Sequence, residues 1–194
     1  MPRALVSVSN KNQLYGFMKS LADIGWEIVS TGGTRKFLVD NKVPVLDVST
    51  YTGFPEIMDG RVKTLHPRVH GGLLGRRDVP EDVEIMKLYD ILPFDMVVCN
   101  LYPFESTIAD PTKTFADAIE NIDIGGPSMI RSAAKNHKFV LVVTDLADYQ
   151  KVFDAVRSGS VTDALRLELA AKAFGLTSRY DHSIGSYLFR QVAS

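Results

Sequence analysis

Five short β-prone runs, separated by segments of helical period and by glycine turns, constrain the fold of this chain more than any other feature. The runs are Ala4 to Val8 (ALVSV), Trp26 to Ser30 (WEIVS), Val45 to Val48 (VLDV), Met96 to Cys99 and Phe139 to Thr144 (FVLVVT). Met96 to Cys99 is continuously apolar, as expected of a strand buried on both faces. Between the first two runs, Leu14, Phe17, Met18, Leu21 and Ala22 recur at i, i+3, i+4, i+7 and i+8, the stripe of an amphipathic helix. Asn10 is its expected N-cap and Gly25 its stop. Phe37 and Leu38 belong to a short helix ended before Pro44. Thr114 to Ile122 reads as a helix. A second opens at Gly125-Gly126 with Pro127 near its first turn, and Asp145 caps a third over Leu146 to Val156. From Val161 to Val192 there is no proline, and Tyr180, Ile184, Tyr187 and Leu188 keep helical spacing. Strands alternating with helices predict a mainly parallel sheet covered on both faces. The exception is Ser49 to Asp82, where glycine, proline and basic residues crowd an irregular pattern expected to form binding loops.

Bulk properties narrow the setting. A chain of 194 residues fits one domain, expected over residues 1–194. A formal net charge of −1 gives no electrostatic footprint for nucleic acid or a membrane surface. The single cysteine, Cys99, excludes an internal disulfide and fits a reducing compartment. The start lacks the pattern of a signal peptide, and no apolar run approaches the roughly 20 residues that span a bilayer. A soluble cytoplasmic domain is the expectation.

Three segments could bind an anion. Ser7-Val8-Ser9-Asn10-Lys11 and Thr31-Gly32-Gly33-Thr34 each stand where a strand gives way to a helix. In parallel α/β sheets, ligands collect beyond the carboxyl ends of the strands, and free N–H groups at helix starts favour phosphate. Either loop alone is equally well a cap and a turn; two at one sheet edge point to a phosphomonoester site. Neither is a P-loop or a dinucleotide fingerprint. The third segment, Gly60 to Gly72, packs Arg61, Lys63, Arg68, His66 and His70 among glycines. The histidines are four apart, but Pro67 lies between them and no third ligand is evident, so no metal is expected. Asn100-Leu101-Tyr102 follows the buried strand and belongs at the same carboxyl edge. Asp123 precedes the Gly125-Gly126 helix start and Lys135 lies near that helix's end; alone, they could be an ordinary cap and an ordinary surface lysine. Cys99, inside a strand, reads as a small buried hydrophobe.

Taken together, VSVSNK, STGGT, TGFPE, GRVKTLHP, CNLYPF, IDIGGPSMIRSAAKNH, KAF and Tyr180-Asp181 resemble, in order and nearly end to end, the IMP cyclohydrolase half of bifunctional AICAR transformylase/IMP cyclohydrolase. The resemblance implies a methylglyoxal-synthase-like three-layer α/β/α sandwich with a mainly parallel central sheet, and a homodimer. A transformylase would be fused to it or separate. It also implies closure of 5-formamidoimidazole-4-carboxamide ribotide (FAICAR) to IMP with loss of water, without a cofactor. By the same resemblance, Ser9, Lys11, Thr31, Gly33 and Thr34 match phosphate-binding segments. Arg61 and Thr64 are further nucleotide contacts, and Asn100 stands beside them. Lys63, Tyr102, Asp123 and Lys135 match the catalytic cluster. The roles expected are Lys63 and the N–H groups of Gly125 and Gly126 at the formyl oxygen, Asp123 paired with Lys135 for the proton, and Tyr102 orienting the carboxamide.

Two other readings share the fold. Methylglyoxal synthase carries a GGD-type segment; here the glycine pairs are followed by Thr34, Leu73 and Pro127. A regulatory nucleotide-binding module, like that of carbamoyl-phosphate synthetase, needs phosphate loops but has no chemical use for the Lys63, Tyr102, Asp123 and Lys135 set.

Overall fold

The computed structural model describes residues 1–192. Five strands form one sheet: β1 (Arg3–Val8), β2 (Glu27–Ser30), β3 (Leu46–Asp47), β4 (Met96–Asn100) and β5 (Leu141–Val143). Their order is β3-β2-β1-β4-β5 and every pairing is parallel. Ala4 pairs with Ile28 on one side and with Met96 on the other, so β1 is central. The apolar runs become strands because both of their faces are covered. Leu5, Val6, Met96, Val97, Val98 and Val142 are all buried.

Helices supply the outer layers. α1 (Leu14–Asp23) packs on α9 (Tyr149–Arg157), with Phe17 stacked on Tyr149 at 4.5 Å. α4 (Pro67–Leu74) and α10 (Asp163–Val192) pack on α8 (Gly125–Lys135). α2 (Gly32–Asp40) lies against β1. The expected α/β sandwich with a parallel sheet is the fold observed. No helix among the described residues is long and apolar enough to cross a membrane.

Several local expectations differ. Ser49 to Asp82 is not open loop: it holds α3 (Val48–Thr52), a 3-10 turn at Met58–Gly60, α4, and the start of α5 (Pro80–Leu88). These helices are too short to display a full apolar stripe. Pro67 and Pro80 stand in the first turns of α4 and α5, where a missing N–H costs nothing. Asn10 does not cap α1. Gln13 occupies the N-cap position, in the left-handed region at φ 59° and without a side-chain capping bond, and the Asn10 side chain instead accepts the Asn12 N–H at 2.9 Å.

A second, smaller cluster sits at the rim. α6 (Phe104–Ala109), which periodicity does not reveal, and α7 (Phe115–Glu120) bury Phe104 and Ala118 against Tyr180 of α10. α7 carries a capping box between Thr114 and Asp117. α10, about 45 Å long at 1.5 Å per residue, serves the main core with Leu169 and Ala173 and the rim cluster with Tyr180.

Candidate active site

The strand order reverses direction at β1, between its neighbours β2 and β4. Crossovers to either side leave a crevice beyond their carboxyl ends. A cavity of about 660 Å³ opens there, within the range of small-ligand sites. Ser9, Lys11, Thr31, Gly33, Thr34, Arg61, Lys63, Thr64, Asn100, Tyr102, Asp123, Gly125 and Gly126 all line it.

Two side chains shape the loops at the strand ends. Thr34 Oγ1 accepts the Val8 N–H and donates to the Val8 carbonyl, both at 3.0 Å, tying the start of α2 to the end of β1. Asn100 Oδ1 accepts the N–H groups of Ser9 (2.7 Å) and Asn10 (3.0 Å), and its Nδ2 donates to the Asn10 carbonyl at 3.0 Å. Both residues therefore hold the loops in shape; their polar atoms are largely committed to backbone. Lys11 Nζ folds back on the Ser9 carbonyl at 3.3 Å. At the start of α2 the bare Gly33 faces open space, so an anion can approach the helix N-terminus closely. Thr31, the N-cap, makes no side-chain capping bond.

Further charged groups, Arg61, Lys63 and Asp123, line the same cavity. Lys63 reaches over Gly32, whose φ is +54°. A side chain at Gly32 would begin 3.0 Å from Lys63 Nζ, the mobile end of a lysine that can give way, so it is the positive φ that calls for glycine. Lys63 Nζ stands 3.4 Å from Glu56 Oε1. Asp123 lies on the turn before α8, where Oδ1 accepts the Gly126 N–H at 2.8 Å. Burial raises the Asp123 pKa; the Gly126 N–H and the nearby Lys63 ammonium oppose it without cancelling it. Both glycines of α8 make room for their neighbours. A Cβ at Gly125 would stand 2.6 Å from Thr64 Oγ1, and one at Gly126 would stand 2.4 Å from Asp123 Oδ2. Tyr102 projects from the loop after β4, 56% exposed.

Three expectations change. The Gly126 N–H is bonded to Asp123, so it is not a free donor for an oxyanion. Lys135 does not reach the cavity. It ends the eleven-residue α8, about 16 Å along the axis from the Gly125 end. It borders a separate groove with Arg131, Leu167 and Phe174. The expected Asp123–Lys135 pair therefore does not form within this chain. Arg61 faces the cavity but is ion-paired with Glu120 of α7, a partner no local pattern signals.

The histidines serve packing. His66 Nδ1 caps α4 by accepting the Arg68 N–H at 3.1 Å; burial and the Arg68 charge hold its pKa below the ordinary value. His70 Nδ1 lies 3.0 Å from Ser132 Oγ, and burial lowers its pKa too. No three His, Cys, Asp or Glu side chains among the described residues are grouped to hold a metal ion. Cys99 is buried and its pKa is pushed far up by burial, so it is no thiolate nucleophile.

A parallel sheet in this order, with a polar cavity at its switch point, first defines a class: the chain belongs to the MGS-like domain family, whose model matches residues 13–128. The particular relationship is narrower. Residues 133–194 match the AICARFT/IMPCHase bienzyme model. The chain is 58% identical over 191 residues to the bifunctional purine biosynthesis protein PurH of Bacillus cytotoxicus, and 56% identical over 191 residues to that of Bacillus mycoides. Each match covers 98% of this chain and 37% of the relative, so the chain spans little more than a third of their length. Among solved structures, the crystal structure of ForH superposes with a TM-score of 0.85 at 34% identity, over 95% of this chain and 97% of that one.

Proposed function

We propose that this chain is an IMP cyclohydrolase domain that closes FAICAR to IMP. The observation that carries the reading is one cavity lined by Lys63, Asp123 and two strand-to-helix turns suited to a phosphate, with Lys63 reaching over one of those turns at Gly32. The similarity to PurH proteins supports it.

The reaction sets the roles. The 5′-phosphate is held by Ser9, Lys11, Thr31 and the N-terminus of α2 at Gly33 and Thr34. Arg61 and Thr64 contact the rest of the nucleotide. The carboxamide nitrogen then lies against the formyl carbon of the same ring, and near-attack geometry of this kind removes several kcal/mol from a barrier. As the C–N bond forms, one amide proton leaves the nitrogen, with Asp123 as its acceptor. The formyl oxygen, its developing charge stabilised by Lys63, takes up the proton that Asp123 returns and becomes the carbinolamine hydroxyl. That hydroxyl departs as water, and the formamido N–H gives up its proton as the ring C=N bond forms. Burial raises the Asp123 pKa, which makes its carboxylate a stronger base than an exposed aspartate and suits a group that takes and returns a proton. Tyr102 orients the carboxamide. No electrons are transferred, so this chemistry needs no cofactor. Lys135, outside the cavity, takes no step in this chain.

The domain over residues 1–194 is proposed to act in the cytoplasm as a homodimer, with a transformylase fused or separate. The PurH relatives' greater length fits a fused partner. The apolar groove bordered by Leu167 and Phe174 offers a surface for the second copy.

The test is to add FAICAR to purified protein and follow IMP by chromatography. IMP formation above the uncatalysed rate is expected. Tight binding of the ribotide with no IMP formed would reject the reading in favour of a regulatory module.

A further inference from the structure

We propose that Tyr180 is a positioning residue, whose hydroxyl locks the Asp123 turn from the C-terminal helix. The inference rests on the role of Asp123 proposed above, but its geometry stands apart from it. The backbone N–H of Asp123 donates to the Tyr180 hydroxyl at 2.8 Å, across 57 residues of sequence. Tyr180 does not line the cavity. It is 8% exposed and packs edge-on to Phe104, with ring centroids 6.3 Å apart. Phe104 follows Tyr102 by two residues, so the cluster that holds Tyr180 is joined in sequence to the Tyr102 loop.

The turn from Asn121 to Gly126 needs such an anchor. Its carboxylate is held inward by the Gly126 N–H, and its backbone N–H by Tyr180. With both bonds in place the carboxyl group cannot swing to solvent without leaving a half-buried N–H unpaired, which proteins avoid. The groups that face Asp123 are few. Lys63 comes from the loop before α4, Cys99 from β4 and Tyr180 from α10, with Asp181 beside the tyrosine. Cys99 stays neutral; burial of the turn raises the carboxyl pKa, and the Gly126 N–H and the Lys63 charge draw it down. Loss of the anchor lets water reach the carboxylate and lowers its pKa toward the ordinary aspartate range.

Tyr180→Phe keeps the ring and removes the acceptor. The experiment is a carbon-13 NMR titration of the Asp123 carboxyl, assigned with Asp123→Asn, alongside FAICAR turnover. In Tyr180→Phe, Asp123 should titrate at lower pH than in the wild type, kcat should fall about tenfold, and KM should stay within about twofold. Tyr187→Phe, another hydroxyl lost from the same cluster, should leave the titration at the wild-type position. An unchanged Asp123 titration in Tyr180→Phe, or an equal shift in Tyr187→Phe, overturns the proposal. Both outcomes are read by NMR and hold even if the wild type fails to close FAICAR, a result that would reject the cyclohydrolase reading alone.

Discussion

Gly126→Ala should separate catalysis from stability. The new methyl group would stand 2.4 Å from Asp123 Oδ2, 2.8 Å from Leu101 Cδ2 and 3.0 Å from Asp123 Cγ. Ordinary van der Waals contact begins at 3.4 Å, so the carboxyl group must retreat by about 1 Å, and misplacement on that scale can cost about 100-fold in rate. Stability responds less. Alanine in place of glycine inside a helix gains about 1 kcal/mol, and repacking Leu101 around the methyl costs about 1–3 kcal/mol. The net loss is at most about 2 kcal/mol, and each kcal/mol moves Tm by about 2–4 °C in a chain of this size. The expected result is a kcat reduced by about two orders of magnitude, a KM changed only a few-fold, and a Tm lowered by less than about 8 °C. Initial rates of IMP formation and thermal melts monitored by circular dichroism check this. Wild-type kcat in a folded Gly126→Ala protein would refute the claim that the bare α-carbon exists to seat the Asp123 carboxyl.

Other expectations follow from the same geometry. Because burial raises the Asp123 pKa above the ordinary aspartate value, the native state binds that proton more tightly than the unfolded chain. Its contribution is therefore present at low pH and is lost as pH rises through the native value. Asp123→Asn, which keeps an acceptor for the Gly126 N–H, should raise Tm at pH 7 while most turnover is lost, and the gain should vanish near pH 3; a lower Tm at pH 7 would contradict this. Asn100→Ala removes three hydrogen bonds to the Ser9–Asn10 loop. It should cost about 2 kcal/mol in urea unfolding and raise KM. Lys11→Ala should raise KM about tenfold with kcat nearly unchanged, since a charge contacting only the phosphate serves ground and transition state alike. An unchanged KM would remove Lys11 from the site.

The sheet was legible because its strands are buried on both faces, a demand that leaves uninterrupted apolar runs such as Met96 to Cys99. The turn that lines the cavity at Thr31 to Thr34 was legible because strand, glycine and hydroxyl fall there in a fixed local order. What escaped depends on distance along the chain. Arg61 meets Glu120, and Asp123 meets Tyr180, through bonds spanning 59 and 57 residues. No periodicity encodes such pairs. The Asp123–Lys135 expectation failed for a related reason. The two lie close in sequence, yet a straight helix between them carries the lysine away from the cavity. α4 and α5 were hidden because each is too short to display a full apolar stripe, and their prolines stand in their first turns.

The middle position of β1 has a consequence for synthesis on the ribosome. Its edge toward β4 stays unsatisfied until Met96 and the residues after it have left the exit tunnel, because Ala4 pairs with Met96. At about 5–20 residues per second, a three-stranded intermediate would spend several seconds with a valine-rich border exposed, the kind of border that invites pairing with another chain. Over that interval a nascent chain would have the Thr31–Thr34 turn but not the Asn100 clamp. Ligand capture would then have to wait for β4 to dock.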